Sequence, residues 1–162
     1  LGLKALEIPT DPKHGISLDA LRLALEQWPI KAVLLTPNFS NPLGYRMSDA
    51  RKGELVALLE TADVPLIEDD VYRPLQQSAP APLLDLAPER TFHVSGFSKC
   101  VAPGLRFGAI ASPPDYHHDI AAAMRIDCWS SSPLTIGTMR PLSPLPRTCR
   151  MPRSRSTMPR LR

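Results

Sequence analysis

"SDARKGELVALLETADVPLIEDD", residues 48–70, sets a helix directly before a strand, and that pairing decides the fold. Ser48 can cap the free amides at a helix start, and the apolar residues behind it return at helical spacing. Residues 48–62 are therefore expected to form a helix. "VPLIEDD" (64–70) is a short apolar run ending in three acids, which predicts a buried strand.

The same alternation extends in both directions. Upstream, "SLDALRLALEQ" (17–27) has Leu at 18, 21, 23 and 25 behind a serine start signal, a second helix. "KAVLLTP" (31–37) is an apolar run stopped by proline, a second strand. Downstream, "TFHVSG" (91–96) and "RFGAIAS" (106–112) read as strands, and a helix is expected from about Asp115 to Cys128. Strands and helices alternating at this interval predict an α/β architecture with a largely parallel sheet. Ligands of such sheets collect at the carboxyl ends of the strands.

Composition narrows the class. The chain has 162 residues, 43% of them hydrophobic, enough for one domain with a real core. No apolar run approaches the roughly 18 residues that span a membrane. The first residue is Leu1, not Met, and no signal-peptide pattern follows it. Cys100, Cys128 and Cys149 are odd in number and widely spaced, which fits reduced thiols in the cytoplasm and no metal spacing.

The net charge of +3 is unevenly spread. Residues 128–162 hold seven arginines and no acid, so removing those seven from the 19 basic residues leaves 12 against 16 acids in 1–127, a body of about −4. The tail "SPLPRTCRMPRSRSTMPRLR" has no helical or strand periodicity and little to bury. It reads as a nucleic-acid-binding arm, as a disordered terminus, or as a GC-rich gene translated out of frame. The abrupt change of texture after Ser132 favours the last. The chain thus divides into a domain over 1–132 and a basic Pro/Arg/Ser-rich tail over 133–162.

Three strand ends carry unusual polar residues. In "TPNFSNPLG" (36–44), Asn38 and Asn41 follow a buried strand and precede a turn set by Pro42 and Gly44. In "LIEDDVY" (66–72), side chains alternate, so Asp69 faces away from Glu68 and Asp70. One carboxylate can then point into a site, where it needs a cationic partner. Tyr72 adds a phenol nearby. In "VSGFSKCVAPGLRFG" (94–108), Ser95, Ser98, the backbone near Gly96 and the planar fork of Arg106 suit a phosphate. Lys99 beside them can serve as an amine nucleophile.

One ligand accounts for all three. It has an aldehyde for Lys99, a phosphate for Ser98 and Arg106, a cationic ring nitrogen for Asp69, and a phenolic oxygen for Asn41 and Tyr72. Pyridoxal 5'-phosphate has these groups.

"NPLG", "EDDVY" and "SGFSKCVAPGLRFG", in this order, resemble the fold-type I aminotransferases of class I/II over roughly residues 3–132. "TPNFSNPLG" and "IEDDVY" look most like the aminotransferase-like domain of the MocR group of GntR-family regulators. The resemblance implies part of a three-layer large domain with a mostly parallel sheet. By position, Lys99 matches the catalytic lysine that condenses with the cofactor, and Asp69 the partner of its ring nitrogen. Asn41 and Tyr72 match the partners of the phenolic oxygen, Arg106 the phosphate-binding arginine, and Ser98 the serine of the family's Ser-Lys pair. The sequence departs from the pattern at Gly96, where a phosphate-binding serine is usual and Ser95 stands one step earlier. Cys100 replaces a small hydroxyl residue.

The resemblance also implies elements that this chain lacks: an upstream segment that binds the phosphate and stacks on the ring, and a small C-terminal domain with an arginine for the substrate carboxylate. The chain is accordingly expected to be the middle of a larger protein, inactive alone and homodimeric when complete. In that protein it would move an amino group between an amino acid and a 2-oxo acid. The alternative is a pyridoxal-phosphate-sensing effector domain of a MocR-type regulator, which would touch DNA only through a winged helix upstream of Leu1.

Overall fold

A computed structural model describes residues 2–76 and 78–128. The basic tail over 133–162 lies outside the described residues, and so do the three readings of it.

The chain opens with an antiparallel pair, β1 (Thr10–Asp11) and β2 (Gly15–Ile16), which the sequence did not announce. Gly15 needs its lack of a side chain: it lies at φ +83°, and a Cβ there would meet the Tyr45 ring at 2.6 Å. Helix α1 (Leu18–Gln27) starts where expected, with Ser17 Oγ accepting from the Ala20 amide. Strand β3 (Val33–Leu35) and helix α2 (Asp49–Ala62) follow, α2 capped by Ser48 Oγ on the Arg51 amide. Then come β4 (Leu66–Asp69), a short α3 (Leu83–Leu86), β5 (Thr91–Gly96), β6 (Gly108–Ala111) and α4 (His117–Cys128).

The sheet order is β3-β4-β5-β6. Strands β3, β4 and β5 run parallel, as expected, while β6 is antiparallel to β5. The reason lies in residues 97–107, which form turns and a short 3-10 segment and no crossover helix. A return to the same direction needs a crossover, usually helical. β6 also begins two residues later than expected, because Arg106 turns the chain at φ +46°.

Alternation along the strands sorts the two faces. Val33, Leu35 and Leu66 point into a core with Leu21, Leu55 and Leu59 from α1 and α2. On the opposite face Leu34 is 68% exposed. There Phe92 of β5 meets Tyr116, just before α4, edge to face with ring centroids 5.1 Å apart. The α/β class read from the sequence holds, with α1 and α2 packed over one face at β3 and β4 and Tyr116 against the other.

Candidate functional site

Because β3, β4 and β5 are parallel, their carboxyl ends lie at one edge, and all three unusual stretches begin there. The β3 loop turns back at Phe39 (φ +54°) and Gly44 (φ +71°) and closes on itself through Ser40 N to Tyr45 O at 3.2 Å and Met47 N to Pro37 O at 2.8 Å. Asn41 stands exposed on this loop. Its amide donates to Tyr72 Oη at 3.4 Å, which joins the first two strand ends directly.

Asp69 is the last residue of β4 and is half-buried; Val71 N approaches its Oδ1 at 3.4 Å. The alternation expected from the sequence holds. Glu68 and Asp70 are fully buried on the core side, while Asp69 shares the face of Ile67.

Lys99 sits on a turn held by Val101 N to Phe97 O at 2.9 Å, and Cys100 Sγ donates to Gly96 O at 3.4 Å. The loop's base is closed by Phe97 N to Phe107 O at 3.1 Å and by the Phe97 and Phe107 rings, 5.5 Å apart. Lys99 and Arg106 are both exposed, and Ser98 is half-buried. Among the described residues neither Lys99 nor Arg106 forms a side-chain hydrogen bond or ion pair. They share the edge of the sheet with Asn41, Asp69 and Tyr72, and no polar contact joins the two groups. Gly96 also has a local reason: a Cβ there would press on Phe107 O at 3.2 Å.

Behind this edge lies a buried polar network whose pairings were not assigned from the sequence. Asn38 Nδ2 donates to Asp70 Oδ1 at 2.9 Å, and Lys52 Nζ donates to Asn38 Oδ1 at 3.3 Å and also to Ala81 O. Arg73 Nε lies 3.4 Å from Asp70 Oδ2. Glu68 accepts from the amides of Leu83 (2.8 Å) and Leu84 (3.2 Å) at the start of α3 and contacts His93 Nδ1 at 2.8 Å. Burial, reinforced by the charge of Glu68, raises the Asp70 carboxyl to about 6, against the pull of Asn38, His93 and Arg73. Burial lowers the Lys52 ammonium below its usual range, although Glu68, Asp49 and Asp70 oppose this. The helical spacing of Lys52 with Leu55, Val56 and Leu59 was the signal that could have placed it on the buried side.

Donor atoms of Glu68, Asp70 and His93 lie within 4.8 Å of one another, a spacing that a metal could use. The oxygens of Glu68 are already taken by two amides and His93, and Lys52 and Arg73 supply positive charge. These residues therefore act as an internal brace.

Residues 2–140 match the family described as aminotransferase class I and II. The chain belongs to this family. Among curated relatives of this aminotransferase-family chain, the HTH-type transcriptional regulators YjiR and YdcR of Escherichia coli K12 are 47% identical over 129 residues and 48% over 115. Those matches cover 74% and 69% of the chain but 26% and 25% of the regulators. NorG of Staphylococcus aureus, another HTH-type transcriptional regulator, is 33% identical over 104 residues, 62% of the chain and 24% of NorG. The chain spans about a quarter of the length of these relatives. The resemblance to regulator-borne aminotransferase domains read from the sequence thus stands.

Solved aminotransferases share the fold. LysN of Thermus thermophilus, an α-aminoadipate aminotransferase solved with N-(5'-phosphopyridoxyl)-L-leucine, superposes with a TM-score of 0.75 at 25% identity, over 80% of this chain and 35% of LysN. Kynurenine aminotransferase of Pyrococcus horikoshii gives 0.71 at 27% identity, over 78% and 33%. Pyridoxal phosphate is a cofactor of this family.

Proposed function

We propose that this chain is the cofactor-binding core of a pyridoxal-phosphate-dependent domain, and that in the intact protein the domain is the effector module of an HTH-type transcription regulator. The observation that supports the cofactor is the donor set at the sheet edge. An amide–phenol pair (Asn41, Tyr72) and a half-buried carboxylate (Asp69) share that edge with two cations, Lys99 and Arg106, that no acid of the described chain neutralises. Such unneutralised cations fit an anionic ligand.

The residues present fit the group. Arg106 and Ser98 would hold the phosphate, Arg106 through its planar fork. Asp69 would face the ring nitrogen and keep a proton there. Asn41 and Tyr72 would hold the phenolic oxygen. Lys99 would be the amine that anchors the aldehyde and that takes or returns a proton. Bound there, the cofactor supplies an aldehyde and an electron-withdrawing ring. The ligand sensed would be an amino acid or amine, and the intact protein would be a homodimer whose DNA contacts lie in another domain.

Identity to the curated regulators, 47–48%, favours the regulatory role over enzymatic turnover. The second reading, amino-group transfer between an amino acid and a 2-oxo acid, is supported by the likeness to solved aminotransferases at 25–28% identity. Titration with pyridoxal phosphate tests the site: binding should be saturable, competed by inorganic phosphate and lost in Arg106→Ala. Binding that ignores both phosphate and Arg106 would defeat the assignment. An amino-acid-dependent change in the intact protein's DNA affinity without 2-oxo acid release separates the regulator from the enzyme.

A further inference from the structure

The Asn41–Tyr72 contact is long, at 3.4 Å, and open to water, so it contributes little to holding its own geometry. Something else must fix the two strand-end segments against each other. On the covered face, directly behind them, Asn38 donates to Asp70 at 2.9 Å with both residues fully buried. Asn38 is three residues before Asn41, and Asp70 lies between Asp69 and Tyr72.

Each partner of that bond is itself held. The Asn38 amide oxygen accepts from Lys52 on α2, and its backbone pairs with Arg46 across the loop. The Asp70 amide donates to Val94 O on β5 at 2.9 Å, and Arg73 Nε approaches its second oxygen. Between Asn38 and Asn41 the chain passes through Phe39 at φ +54°, which a bulky residue adopts only where its surroundings impose it. The buried bond at Asn38 constrains the chain on one side of Phe39, and the Ser40 N to Tyr45 O bond on the other.

We propose that Asp70 is a positioning residue: through Asn38 it fixes the loop that carries Asn41 against the turn that carries Asp69 and Tyr72. The role rests on the cofactor reading given above. Asp70 does not itself touch the ligand; it sets where three ligand-facing side chains stand.

The test uses the full chain and the variants Asn38→Ala, Asp70→Ala, their combination, Asp70→Asn and Glu68→Ala. Glu68 is equally buried and hydrogen-bonds α3 and His93 but neither Asn38 nor Asp70, so it reports destabilisation without loss of the anchor. Pyridoxal phosphate affinity and hydrogen exchange of residues 39–46 are read on each. Asn38→Ala and Asp70→Ala should each weaken affinity about tenfold, the double variant no further, because they break the same bond. Exchange across 39–46 should speed up in all three. Asp70→Asn keeps an acceptor oxygen and should restore most of the affinity, while Glu68→Ala leaves affinity and exchange in 39–46 unchanged. An affinity loss in Glu68→Ala matching that of Asp70→Ala overturns the proposal, and so does additivity in the double variant. If the wild-type chain binds no pyridoxal phosphate, the cofactor reading fails by itself and exchange decides the anchor. Faster exchange in Asp70→Ala but not in Glu68→Ala then supports it, and no difference overturns it.

Discussion

The Asp70 carboxylate accepts from the Asn38 amide at 2.9 Å in a region sealed from solvent, while Asp69, one residue earlier, is half-buried on the opposite face of β4. Adjacent acids thus serve opposite faces, and the peptide between them links the internal brace to the candidate site.

The buried acid should show in the pH dependence of stability. Asp70 is raised from 3.8 to about 6 by burial, within reach of Glu68 on β4, Lys52 on α2, Arg73 after β4 and His93 on β5. Its native form holds a proton that the unfolded chain has already lost. Between pH 3.8 and 6 its contribution therefore falls as pH rises, by roughly 3 kcal/mol in all. Asp70→Asn lacks this slope, so its urea-derived stability should gain on wild type from about pH 4 to about pH 7. A constant difference across that range would contradict the raised carboxyl.

Lys52 is fully buried and serves as donor to Asn38 and to the Ala81 carbonyl. Lys52→Met fills similar space but strips the counter-charge from Glu68 and Asp70. Denaturant unfolding should show a loss of about 3 kcal/mol, the scale of breaking a buried ion network from one side. A change below about 0.5 kcal/mol, as at ordinary surface sites, would show that the lysine is not part of the brace.

Tyr72 should behave in the opposite way. Tyr72→Phe removes one long, exposed hydrogen bond, so its stability should stay within about 0.5 kcal/mol of wild type. Its affinity for pyridoxal phosphate should nevertheless fall several-fold, about the value of one hydrogen bond to a bound ligand. Equal affinity in the two proteins would remove Tyr72 from the site.

Much of the architecture was legible because its signals are local. Ser17 and Ser48 announce helix starts, and apolar runs stopped by Pro or acids announce strands. The antiparallel β6 was missed because strand direction depends on what residues 97–107 do between two strands, and apolar pattern is blind to that. Hairpin β1–β2 was missed because two-residue strands carry no periodicity. At the candidate site, the motifs singled out Asn41, Asp69, Tyr72, Ser98, Lys99 and Arg106. Neither Asn38 nor Asp70 could be assigned a partner, since the bond between them spans 32 positions of sequence. Lys52 was legible in principle, through its helical phase, but a charged residue on an apolar stripe is readily assigned to solvent.

In the proposed site Lys99 is the residue that anchors pyridoxal phosphate. Incubate the full chain with the cofactor, reduce with borohydride, and map the pyridoxyl label by peptide mass. Label is expected on Lys99, suppressed by excess inorganic phosphate and by Arg106→Ala, with Lys4, Lys13 and Lys31 labelled only at a low, phosphate-independent level. Label spread evenly over the lysines, or unchanged at Lys99 when phosphate is added, would contradict it.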